Sequence, residues 1–154
     1  MKRTFALVLF LASTTSQANE VDKRQILPLN ELQRDHILTE MRGLLSGTQR
    51  ILAALAQEDM AAVAAHARSL GMGMKHKGED HLQSVLPKAF MQLGLSVHRS
   101  FDQIAADAES LKDARHTLQQ LSESMNTCAA CHDSYQIRVT GEPETNPASI
   151  PHHH

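Results

Sequence analysis

Residues 114–135 read ARHTLQQLSESMNTCAACHDSY. Within them Ala114, Leu118, Leu121, Met125, Cys128, His132 and Tyr135 recur at alternating intervals of four and three, the period of one face of an α-helix. The face that begins as an apolar stripe ends in Cys128 and His132, with Cys131 three residues from Cys128 and beside it on the helix. Cys-x-x-Cys-His is the spacing of a c-type haem attachment site, in which two thiols bond to the haem vinyl groups and the imidazole binds iron. These are also the chain's only two cysteines. A ligand on a buried helical face has to sit between helices, so this stretch predicts a helical protein built around one flat cofactor.

Upstream of the motif the chain carries three more segments of helical period and almost no strand signal. Asn30 is placed to cap a first helix, with Gln33 in the capping-box position. Ile37, Met41, Leu44, Thr48, Ile51 and Leu55 form its core-facing stripe, flanked by Leu38, Leu45 and Leu52. Asp59 caps a short, alanine-rich second helix over residues 60–70, which Gly71 stops. Residues 72–87 read as a long connection with at most a turn of helix, a length that inside a compact domain signals function or a crossover. A third helix begins near Pro87 and buries Phe90, Leu93, Val97, Phe101, Ile104 and Ala108. Ser110 and Asp113 then match the capping-box pattern at the start of the fourth. The expected fold class is all-α, an antiparallel four-helix bundle over residues 30–140 with one covalently attached haem.

The two ends of the chain bound where it works. Lys2 and Arg3, the apolar run over residues 5–12 and the small-residue site Ser16-Gln17-Ala18 have the layout of a secretory signal peptide over residues 1–18. The apolar run is far shorter than the roughly 20 residues that span a bilayer. Cleavage predicts an exported, periplasmic protein with no membrane attachment, in which residues 19–29 are an N-terminal extension. Without Lys2 and Arg3 the 15 basic residues fall to 13 against 17 acidic ones, which leaves no electrostatic footprint for nucleic acid. Residues 141–154, with Pro143, Pro147 and Pro151 and no apolar period, read as a disordered tail. Its last three histidines are either natural or the remnant of an affinity tag.

Four helices behind a signal peptide, with Cys128-Ala129-Ala130-Cys131-His132 near the end of the last, resemble the cytochrome c′ family and its low-spin relatives, a four-helix-bundle fold. The resemblance implies that Cys128 and Cys131 are the thioether anchors of one haem c and that His132 is the proximal iron ligand. It implies that Tyr135 packs in the haem pocket, that Arg34 contacts a haem propionate through its fork of donors, and that Leu38 lies on the distal face. It also implies a homodimer contact through the first helix. The family's basic residue after the aromatic one is replaced by Gln136, with Arg138 nearby.

The distal side separates two functions. A leucine at position 38 leaves the iron five-coordinate and open to NO or CO, which makes a gas-binding protein. Met41, one turn on, is a candidate distal iron ligand, and Met/His ligation suits one-electron transfer between redox partner proteins. As a core side chain Met41 is a gap-filler instead. Met72 and Met74 are weaker ligand candidates in the connection, and Met60, Met91 and Met125 read as core. His36, His66, His76, His81, His98 and His116 show no metal-ligand pattern and read as surface or satisfied half-buried side chains. Gly94 interrupts the third helix, a cost that close approach by a haem or a neighbouring helix repays.

Other chemistries fit Cys128 and Cys131 less well. A thioredoxin-like pair opens a helix in a βαβ setting, whereas this one closes a helix in an all-α chain. A zinc site needs a fourth ligand. A plain disulfide leaves His132 unexplained. No acid–base pair or nucleophile is arranged by spacing, so no enzyme is expected.

Overall fold

The computed structural model describes residues 22–74 and 80–140. The signal peptide over residues 1–18, His76 and the tail over residues 141–154 lie outside these.

The described residues are mostly helical. Helix α1 (Glu31–Leu55) starts as its sequence dictates: Gln33 N donates to Asn30 Oδ1 at 2.8 Å and Asn30 N to Gln33 Oε1 at 3.0 Å, so two of the orphan donors of the first turn are satisfied reciprocally. Asp59 caps α2 (Met60–Leu70) through the Ala62 N–H, and Gly71 ends it. A 3-10 turn (Met72–Met74) and a single helical turn, α3 (Asp80–Gln83), occupy the connection to α4 (Lys88–Ser110). The last helix is α5 (Ala114–Ser134). Packing follows chain order, α1 on α2, α2 on α4 and α4 on α5. The α1–α2 contact is close because Gly47 offers no Cβ where the Leu70 side chain sits.

The core between these helices centres on Ile51, Val63, Ala67, Phe101, Ile104 and Leu121, all essentially out of water. On α4 the buried set contains the expected Val97, Phe101, Ile104 and Ala108. On α5 the expected stripe is rotated by about one residue. Thr117, Leu121 and Ser124 are buried, while Leu118 and Met125 are 48% and 53% exposed. Small hydroxyl side chains allow α5 to approach α4, and they satisfy themselves locally: Ser124 and Ser100 share a hydrogen bond at 2.8 Å, and Thr117 Oγ1 donates to Asp113 O at 3.2 Å. A pattern that counts Ser and Thr as surface misses this face. The helix start also differs. Asp113 alone caps α5, accepting from Arg115 N and His116 N, while Ser110 belongs to α4 and donates back to Ala106 O.

Two strands were not legible in the sequence. β1 (Gln25–Leu29) and β2 (Tyr135–Val139) pair in parallel, Gln25 opposite Tyr135 and Leu29 opposite Val139. The segment expected as an N-terminal extension thus folds back onto the end of the last helix. Leu27 and Leu29, each 1% exposed, drive this by joining Ile37 and Leu82 in a second apolar cluster, against which Met41, Leu86, Phe90, Tyr135 and Ile137 pack. Five residues with Pro28 among them carry too short a period to read as a strand. No described helix is long and apolar enough to cross a membrane.

Candidate cofactor-binding site

The second cluster forms part of the wall of a cavity of about 480 Å3, within the roughly 300–1,000 Å3 of cofactor and small-molecule sites. α1 contributes Ile37, Glu40, Met41 and Leu44; the connection contributes Leu82, Gln83 and Leu86; α4 contributes residues from Lys88 to His98; α5 contributes Thr127, Cys128, Cys131 and His132. The walls are predominantly aliphatic and aromatic.

The spacing of the motif produces this placement. Residues three and four apart on α5 lie side by side, so both thiols and the imidazole reach one cavity from the helix's last two turns. Cys128 and Cys131 are half-buried free thiols and His132 is exposed at the mouth. Burial pushes both thiols above the usual cysteine range, and at Cys131 the neighbouring Cys128 pushes the same way. That is opposite to the lowered thiol that a dithiol redox pair uses. Among the described residues no three His, Cys, Asp or Glu side chains converge to hold a metal ion.

Among the polar residues that line the cavity, His98 and Glu40 meet each other. His98, 4% exposed, places Nδ1 2.7 Å from Leu70 O and Nε2 2.8 Å from Glu40 Oε1. A carbonyl only accepts, so Nδ1 donates, and the contact between Nε2 and the carboxyl then needs a proton on one of the two. This pair ties α1 to α4 and to the end of α2. His98 is one of the histidines expected to be satisfied, but its partner Glu40 is 58 residues away, beyond any local pattern.

The structure brings together Met41, Cys128, Cys131 and His132 at one cavity. Tyr135 stands just behind, edge-on to the wall residue Phe90 with ring centroids 5.2 Å apart. Arg34 is exposed and Leu38 half-buried, and neither lines the cavity. Met72 and Met74 do not line it either. Met91 does, and Met125 is on the surface rather than in the core. A Cβ built at Gly94, also a wall residue, meets nothing within 4 Å, so the space beside this glycine is open.

These features suit a haem held through two thioethers. The cavity has the size and apolarity of a cofactor site, two thiols and an imidazole share one helical face at its edge, and Gly94 leaves room along α4. Comparison with protein-family models, with curated proteins and with solved structures returns no match, so the case rests on the residues themselves.

Proposed function

We propose that this chain is an exported c-type cytochrome, a four-helix bundle that holds one haem c in the cavity and passes single electrons between redox partner proteins. The observation that carries the reading is the convergence of Cys128, Cys131 and His132 on one apolar cavity. The cofactor, when bound, supplies a one-electron ferric/ferrous couple. Cys128 and Cys131 would anchor it through their sulfurs, and His132 would bind the iron through an imidazole nitrogen. The aliphatic wall from Ile37 to Val97 would keep water from the bound group and lower the local dielectric, which would tune its potential. Met41 lines the same cavity from α1 and would be the residue to offer the iron a thioether.

A second reading is a gas-binding protein with an open distal site. It is favoured by the packing of Met41 against the cluster of Leu27, Leu29, Ile37 and Leu82, the environment of a filler side chain. The absorption spectrum of the reduced protein with and without CO decides. A sharp low-spin spectrum indifferent to CO, converted by Met41→Ala to one that responds, supports electron transfer through Met/His ligation. A wild-type spectrum that shifts with CO overturns it in favour of gas binding. On α1, Leu45 and Leu52, seven residues apart and so on one face, are 73% and 43% exposed, and this face is where a homodimer contact would belong.

A further inference from the structure

The N-terminal segment reaches the end of α5 at one point beyond the strand ladder. Asp22 grips the Arg24 guanidinium, which donates to it from Nε at 3.0 Å and from Nη2 at 2.6 Å. Held in this orientation, Arg24 Nη1 donates at 3.3 Å to the main-chain carbonyl of His132, 108 residues away in sequence. Gln136 Nε2 returns a hydrogen bond to Arg24 O at 3.2 Å, and Gln25 opens the ladder opposite Tyr135.

This carbonyl is chemically distinctive. α5 ends at Ser134 and the chain turns at once into β2, so the last amide to bond back into the helix is that of Tyr135, to Cys131 O. The His132 carbonyl is therefore an orphan acceptor at the negative end of the helix, where a cationic donor is worth most. We infer that Arg24 is a positioning residue for His132: acting through the main-chain carbonyl, it fixes the last turn of α5 and with it the direction in which the imidazole enters the cavity. The inference rests on the proposed role of His132 as iron ligand.

Asp22 and β1 complete the device. The carboxylate presents one face of the guanidinium to α5, and burial of Leu27 and Leu29 keeps the segment in place. An N-terminal segment with no haem motif of its own thereby sets the geometry of a ligand near the other end of the chain.

The test compares wild type, Arg24→Ala and Arg24→Lys, each made with and without the haem-attachment machinery. In the polypeptide alone, amide hydrogen exchange at Tyr135 is expected to speed up about fivefold in Arg24→Ala, the loss of one hydrogen bond of ordinary net strength, and to be largely restored in Arg24→Lys. In the haem-loaded protein, the electron paramagnetic resonance lines of the oxidised iron, narrow in wild type, are expected to broaden in Arg24→Ala and to sharpen again in Arg24→Lys. Unchanged Tyr135 exchange and unchanged lines in Arg24→Ala overturn the inference, as does an equal acceleration of amides throughout α2, which would mark a general loss of stability. Absence of covalent haem from wild type overturns the functional reading alone, and the exchange comparison still shows whether Arg24 holds the turn.

Discussion

Burial holds the Cys128 and Cys131 thiols above their ordinary range, which fixes both their reactivity and their effect on stability. In the protein without cofactor, iodoacetamide at pH 8 is expected to alkylate both more slowly than in urea-unfolded chain, read by mass against time; equal rates would contradict the raised thiols. The folded chain keeps thiol protons that the unfolded chain loses from about pH 8.5, so these groups make stability fall as pH rises through that range. At the opposite wall, His98→Ala removes the hydrogen bond to Leu70 O and one contact of the Glu40 carboxylate. A loss on the order of 2 kcal/mol is expected in urea unfolding, since a buried carbonyl loses its donor and the contact that joins α1 to α4 is removed. A loss below about 0.5 kcal/mol, the scale of a surface change, would show that the pair is not holding α1 to α4.

Helix α4 carries a prediction of opposite sign. Gly94→Ala is expected to stabilise the polypeptide by about 0.8–1 kcal/mol, because its new methyl group meets open space. Gly94→Phe is expected to fold but to attach less haem, because the ring enters the cavity. Where α4 turns into α5, Asp107 accepts from Gln103, Gln120 and His116, and these hydrogen bonds hold its carboxyl below the usual range. A depressed folded pKa stabilises above the unfolded value and is lost as pH falls through the folded one. Wild type is therefore expected to lose stability below about pH 4 more steeply than Asp107→Asn in urea melts at several pH values. At this scale the sequence was largely legible: the Asn30–Gln33 box, the Asp59 cap, the Gly71 stop and the α4 stripe all depend on residues within a few positions of each other. What was not legible is non-local. The rotation of α5 depends on Ser124 meeting Ser100, and β1 is a strand only because β2 lies beside it.

Over the whole molecule, one helical core and one strand-closed cluster divide the work. The core of Ile51, Val63, Phe101, Ile104 and Leu121 supports the helices, and the cluster of Leu27, Leu29, Ile37 and Leu82 closes the cavity wall. Leu27→Ala is expected to cost about 2–5 kcal/mol of stability, like other deletions of buried leucine atoms, and to loosen β1 from β2. The motif at residues 128–132 and the convergence on it of α1, the connection and α4 were legible at different levels. The motif is local, whereas the Glu40–His98 pair and the Arg24 contact with His132 join residues that only the fold brings together. Whether the cavity holds the proposed covalent haem is read from the intact mass of the protein made in cells that carry haem-attachment machinery. The expected mass is that of the mature polypeptide plus one haem, reduced to polypeptide mass when Cys128 and Cys131 are both changed to serine. Wild-type protein at polypeptide mass alone would contradict the proposal.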